Sequence, residues 1–441
     1  MNTLKKMDID SMRTILWLST VLLSLNIALY IKQGTMNYNL RIILFVNLIA
    51  GFVCFSSCEN KQNRHDDIVT VPSEDTTITV KVSYPEKWKK NDKIIVWSMS
   101  PLTDAFIPDT IANRNLWMGP VLRTALLDSG YVNIEYLERN DSIEYLGRKY
   151  RTSDSNTKAR DLENLLIYIK SIRQLKNKKI ILIGLSEGGD INCKVASRRS
   201  SDIYAMLQLA CNALSKEEFV NYHKEWAIKQ LIFPLESGDP KFIGEGQKYM
   251  DSTFNKMSSL DNYYTADYNG IKQFFEEKTQ PVADLISQYE SMDSIFFRAE
   301  LYLRNQWDKE DEETKSLSIY NNNFENYYNF FIQTFISLTP HQITIRKWNP
   351  EEYYPFINCP VMAVQGTYDE RIDCYPNIER MERLLKKGGN SNFEKIILDG
   401  YDHSLVKGNE AMNYVITSRA PRELSIDDSI IENIIAWIDK Q

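Results

Sequence analysis

The sequence predicts an α/β protein: a mainly parallel sheet flanked by helices and interrupted by a helical insertion. Three observations carry this. Short apolar runs such as Lys93 to Trp97, Lys179 to Gly184 and Pro360 to Gln365 have the length and composition of strands buried on both faces. Segments with helical spacing follow those runs at the rhythm of a parallel sheet with crossover helices. The rhythm stops near Leu214, where Tyr, Phe, Asn and acidic residues take over, and resumes after Trp348.

Taken in order, the chain opens with two apolar stretches. Thr14 to Ile31 follows Lys5, Lys6 and Arg13, and Ile42 to Phe55 follows Arg41. The second is short for a bilayer span but suits a signal-peptide apolar region, and it leads into Phe55-Ser56-Ser57-Cys58. That run looks like a bacterial lipobox. On this reading residues 1–35 are an upstream extension and 36–57 a lipoprotein-type signal peptide with Met36 as the natural start. Cys58 is then the acylated N-terminus and 58–75 a polar tether, with the body outside the cytoplasm and anchored to the membrane by lipid. The alternative is a two-helix membrane hairpin, which by loop charge returns the body to the cytoplasm.

The body divides into a first α/β part over 76–213, a helical cap over 214–348 and a second α/β part over 349–441. Thr77 to Tyr84 alternates as a half-buried strand does, and Lys93 to Trp97 is a buried one. A helix over Leu116 to Leu127 stops at Gly130. Strand Val132 to Leu137, helix Lys158 to Leu175, strand Lys179 to Gly184, helix Gly189 to Arg199 and strand Ile203 to Leu209 complete the first part. The second part supplies strand Pro360 to Gln365, helix Asn377 to Lys387, strand Phe393 to Leu398 and helix Asp427 to Ile438. Within the insertion, Ile271 to Glu277 and Glu325 to Leu338 read as helical.

Composition excludes some functions. Net charge is −7, while the first 57 residues are net positive, so the body is more acidic than the whole. Such a surface repels a phosphate backbone, and no Lys/Arg stripe interleaved with aromatics overrides it, so nucleic acid is not an expected partner. Outside the signal only Cys193, Cys211, Cys359 and Cys374 remain, without a C-x-x-C pair, and they read as buried free thiols. No His pair at i, i+4 exists to hold zinc, and neither metal nor cofactor is expected.

The chemistry centres on Ile180-Ile-Leu-Ile-Gly184-Leu-Ser186-Glu-Gly188-Gly189. A G-x-S-x-G that closes an apolar strand and opens a helix is a nucleophile elbow; Gly184 and Gly188 let the chain turn sharply and leave the Ser186 hydroxyl exposed at the sheet edge. Serine needs a base within hydrogen-bond reach to become a nucleophile. Of four histidines, His65 falls in the tether, and His223 and His341 fall inside or at the edge of the insertion. His403, in Gly400-Tyr-Asp-His403, directly follows the last strand, where the base sits in this kind of arrangement.

A third group must hold the imidazole in the tautomer that accepts the serine proton. In chain order the acid lies between nucleophile and base, after the strand before the last one. Gly366-Thr-Tyr-Asp369 offers Asp369 first, with Glu370 and Asp373 as fallbacks and an N-cap as another role for Asp373. The oxyanion site draws on the backbone N–H of Glu187 and on one from Ser98-Met99-Ser100-Pro101, with Met99 the choice. The Glu187 side chain itself is explained by the helix dipole.

Together Gly184-Leu-Ser-Glu-Gly-Gly189, Gly366…Asp369 and Gly400-Tyr-Asp-His403 resemble α/β-hydrolases of the esterase and serine-aminopeptidase-like group. The resemblance covers about Thr76 to Leu209 and Pro360 to Lys440. It implies the α/β-hydrolase fold and a serine hydrolase acting on a carboxylic ester or related acyl bond of a small molecule. The sequence departs from the group at Leu185, often His, and in the Gly-poor loop after Trp97. A peptidase acting on short peptides is the alternative; it needs a carboxylate in the cap to hold a peptide amine, for which Glu217, Glu218 and Asp261 are candidates. A binding module that keeps the fold without catalysis is a further alternative. Tyr263-Tyr264 and Tyr327 to Phe331 are read either as pocket lining or as the packed core of the cap.

Overall fold

The computed structural model describes residues 64–441 except 99–117, 226–268, 332–346, 408–425 and scattered shorter gaps. Ten strands are present among the described residues: β1 (His65–Ser73), β2 (Thr76–Tyr84), β3 (Lys93–Ser98), β4 (Val132–Tyr136), β5 (Ser142–Tyr145), β6 (Arg148–Arg151), β7 (Lys179–Leu185), β8 (Ala205–Leu209), β9 (Val361–Gly366) and β10 (Phe393–Leu398). Eight form one sheet in the order β1-β2-β4-β3-β7-β8-β9-β10, and β5-β6 is a separate hairpin. β2 runs antiparallel to both its neighbours, and from β4 to β10 every pairing is parallel. This order, with its single reversed strand, is the α/β-hydrolase sheet that the motifs imply.

The sheet begins earlier than the sequence reading has it. His65–Ser73, given there to the tether, forms β1 and pairs with β2 over nine residues, from His65 against Tyr84 to Ser73 against Thr76. An edge strand buries little of itself. Asp66, Asp67 and Pro72 therefore stand where a central strand would exclude them, and only Val71 and Ser73 are buried.

Helices cover both faces. On one lie α2 (Ser155–Ser171), α3 (Glu187–Arg198) and α7 (Cys374–Lys387); on the other lie α1 (Met118–Asp128) and α8 (Asp428–Lys440). The alternation of β7 divides the core between them. Ile180 and Leu182 pack with Leu162, Leu166, Ile191 and Leu385, while Ile181 and Ile183 pack with Leu122, Leu126, Ile434 and Ile438. A strand buried on both sides must be apolar at every position, which is why Lys179 to Gly184 reads as a continuous run. Helix starts are set by carboxylates: Asp154 accepts from Thr157 N at 2.7 Å and Asp427 from Ser429 N at 2.9 Å.

The described part of the insertion contains α4 (Gln280–Ser287), α5 (Met292–Trp307) and α6 (Phe324–Asn329). Here Tyr327 and Phe331 are core rather than pocket. Both are buried, and Tyr327 packs its ring against Trp307, Tyr320 and Phe331, with Glu310 accepting from its hydroxyl at 3.1 Å. Tyr263 and Tyr264 lie outside the described residues. Among the described residues no helix is long and apolar enough to cross a membrane.

Candidate active site

The turn at the end of β7 is made by one residue. β7 ends at Leu185 and α3 begins at Glu187, so Ser186 alone reverses the chain, at φ +54° and ψ −120°. A side chain at positive φ costs on the order of 1–3 kcal/mol and persists only where surroundings over-determine it. They do so here. Ser186 N donates to Leu209 O at 2.9 Å, carrying the β7-β8 ladder past the end of the strand, and Gly189 N donates to Ser186 O at 2.9 Å. The turn also needs close approach: a Cβ on Gly184 would lie 2.7 Å from the Gly188 backbone, and one on Gly189 would lie 2.3 Å from Cys211 Cβ and Sγ. The sequence motif points to Gly184 and Gly188, yet Gly189 too is required, because it packs directly on Cys211 just past the end of β8.

The other two groups come from loops at the same sheet edge. Asp369 follows β9 and His403 follows β10, and the turns are laced together: Thr367 N donates to Leu398 O at 2.9 Å, Tyr368 N to Tyr401 O at 2.9 Å and Gly400 N to Thr367 Oγ1 at 2.8 Å. The structure brings the three residues into one line. His403 Nε2 lies 2.9 Å from Ser186 Oγ, and His403 Nδ1 lies 2.9 Å from each carboxylate oxygen of Asp369. With Nδ1–H donated to Asp369, the lone pair of Nε2 faces the serine hydroxyl.

Asp369 is buried, and its oxygens are well supplied. Oδ1 accepts from Arg371 N at 2.8 Å and Ile372 N at 3.0 Å, and Oδ2 accepts from Gln365 Nε2 at 2.6 Å. Gln365 is oriented in turn by Asn377, which donates to Gln365 Oε1 at 3.2 Å and to Cys211 O at 2.9 Å. The fallback Glu370 does something else: its Oε2 accepts from His403 N at 3.1 Å. Asp373 stands at the N-cap of α7 without a side-chain cap bond. Asp402 shapes the His403 loop, accepting from Ser404 N at 2.9 Å and Val406 N at 3.1 Å. Single polar residues such as Gln365, Asn377 and Asp402 carry no periodic signal, and only the chain order of their neighbours could have pointed to them.

Two opposing influences set the His403 imidazole. Burial favours the neutral ring, but the charge and hydrogen bond of Asp369, with Glu370 behind it, outweigh burial and the nearby Arg371, so its pKa stands above the ordinary value.

The Glu187 side chain stands in the first turn of α3, where the helix dipole favours it, and it has a partner as well. It is buried and accepts from Lys158 Nζ of α2 at 2.7 Å, with both side chains almost inaccessible. Its backbone N–H belongs to the first turn of α3, where helix donors point outward along the axis. Met99 lies outside the described residues, as does Cys58. Ser98, at the end of β3, is buried with its Oγ 3.2 Å from Gly188 O and hydrogen-bonded to Asn192, tying the start of that loop to the elbow. Glu218 is not a free cap carboxylate: it accepts from Ser215 N at 2.8 Å and pairs with Arg380 at 3.2 Å. Nearby, Tyr222 donates to the Asp369 carbonyl at 2.5 Å, which anchors the root of the insertion to the turn carrying Asp369. His65 is exposed beside Asp67, while His223, His341 and Asp261 lie outside the described residues.

The four cysteines among the described residues are free and buried, and burial raises their thiol pKa values, to about 12 for Cys359 and Cys374. They are held out of thiolate chemistry at neutral pH.

No protein-family model matches the chain, and no curated protein is similar enough in sequence to match it. Solved structures are similar at the level of fold. The Pyrococcus furiosus esterase Pf2001 is 13% identical with a TM-score of 0.38, over 77% of this chain and 84% of that one. Est1E from Butyrivibrio proteoclasticus is 10% identical with a TM-score of 0.39, over 84% and 99%. Proline iminopeptidase from Mycobacterium smegmatis is 12% identical with a TM-score of 0.39, over 77% and 92%. Likenesses this distant decide nothing about activity, and the fold rests on the strand order itself.

Proposed function

We propose that the protein is a serine hydrolase that cleaves a carboxylic ester or related acyl bond through an acyl-enzyme on Ser186. The observation that carries this reading is the unbroken line from Asp369 through His403 to Ser186, at 2.9 Å for each step, ending on a serine held at positive φ. His403 takes the Ser186 proton as Oγ attacks the carbonyl carbon. Asp369 holds the imidazole and offsets its new positive charge. The carbonyl oxygen gathers negative charge against the N–H groups of Glu187 and Met99. His403 then returns the proton to the leaving alcohol, and a water activated by the same ring releases the acid. No metal or cofactor enters the scheme.

An ester is preferred over a peptide as substrate. With Glu218 occupied by Ser215 and Arg380, the described root of the insertion offers one carboxylate fewer to a peptide amine. The insertion, rooted through Tyr222 at the Asp369 turn, would act as the cap that sets substrate size. Cys58 as a lipid anchor, with the body on the extracytoplasmic side, belongs to the same proposal and rests on the Phe55-Ser56-Ser57-Cys58 run.

The test is labelling of the purified protein with a fluorophosphonate probe, alongside Ser186→Ala and His403→Ala. Wild type should label, and both variants should lose labelling while keeping a native circular-dichroism spectrum. A folded wild type that does not label would sink the enzyme reading and leave a binding module on this fold.

A further inference from the structure

The residue after the nucleophile poses an electrostatic problem. Glu187 carries the backbone N–H assigned to the oxyanion, and its own carboxylate is buried a side chain's length away. In a water-poor site an uncompensated anion at that range opposes the charge that develops on the substrate oxygen. One turn on, Asp190 is a second buried carboxylate on α3.

We infer that Lys158, reaching across from α2, is a charge-compensating residue of the hydrolase: by neutralising Glu187 it lets the start of α3 present a positive end to the oxyanion. This deepens the serine hydrolase reading and rests on it. The geometry is specific. Lys158 Nζ meets Glu187 Oε2 at 2.7 Å, with the two side chains 3% and 2% exposed, so water screens neither. The neighbouring acid is treated differently: burial first, and Glu187 second, push the Asp190 carboxyl well above the usual range, against the pull of Lys194. Lys194 meanwhile donates to Ser155 Oγ at 2.8 Å and Asn156 Oδ1 at 2.6 Å, both on α2. Lys158 touches no substrate on this view. It acts through Glu187.

A pair that served packing alone would make a different prediction from one that sets the field. The measurement is kcat and KM on a short-chain p-nitrophenyl ester, with the unfolding midpoint of each variant. Lys158→Met should lower kcat roughly 10- to 100-fold with KM within about threefold, the effect of one partly screened charge at short range. Lys158→Met combined with Glu187→Gln should regain most of that loss, since no anion is left to compensate. A Lys158→Met enzyme with wild-type kcat, or a double variant as slow as the single one, overturns the inference. If Lys158→Met does not fold, Glu187→Gln is compared with the double variant. With the Lys158 ammonium retained it should be at least as fast, and a Glu187→Gln enzyme more than about threefold slower would be fatal to the idea. Wild type that neither labels nor turns over fails the hydrolase reading instead, which keeps the two failures apart.

Discussion

The two halves of the site are held by opposite means. Ser186 is fixed by its own chain: one residue between strand and helix, a positive φ, and glycines at which a side chain would collide with Gly188 or Cys211. Asp369 and His403 sit in loops whose backbones are ordinary at those positions, and they are fixed by neighbours, through Gln365, Glu370, Asp402 and the lacing between the two turns. Strain places the proposed nucleophile, and hydrogen bonding places the pair that would activate it. A change at the elbow should therefore be felt first as lost folding energy, and a change in the loops as lost chemistry in a protein that still folds.

The sharpest probe of that contrast is Asp369→Asn. It keeps size and most hydrogen bonds but removes the charge and favours the wrong imidazole tautomer. On the proposed mechanism kcat should fall roughly 10³- to 10⁴-fold with a small change in urea midpoint. Loss of fold with it would break the comparison. Gly189→Ala tests the other half: its Cβ meets the buried Cys211, two residues past β8, at 2.3 Å, so it should cost about 1–3 kcal/mol in urea unfolding before any kinetic effect is interpreted.

The smallest effect expected is one of pH. His403 must be neutral to accept a proton, and its pKa is raised, so the acidic limb of kcat/KM should lie above the ordinary histidine value of about 6.5. Glu370 contributes to the raise, so Glu370→Gln should move the limb down. An upward move would contradict the assignment. The same sign governs stability. A raised folded-state value stabilises the protein below the unfolded pKa, and that contribution is lost as pH rises through the folded one.

What the sequence made legible follows from this division. The strands that carry the site are buried on both faces, so Ile180 to Gly184 and Pro360 to Gln365 could be read as apolar runs, and the chain order of Ser186, Asp369 and His403 singled out three residues that the structure brings together. Helical spacing starts only at Lys158, a few residues late, because Asp154, which caps the helix, precedes any apolar signal. β1 leaves no strand signal in the sequence because an edge strand tolerates Asp66, Asp67 and Pro72. The pairing of Lys158 with Glu187 joins residues 29 apart on two helices and leaves no trace in local pattern. Glu218 looked like a free acid because its partner Arg380 lies 162 residues away.

That separation has a bearing on when the protein could act during synthesis. Ser186 and its base are 217 residues apart, and the sheet edge that carries Asp369 and His403 is laid down last, as β9 joins β8 and β10 joins β9. A nascent chain whose elbow has already formed still holds an idle hydroxyl, because no imidazole reaches it until the final parallel strands dock. On the proposed mechanism, docking of the last parallel strands is then the event that gives Ser186 its base and completes the site.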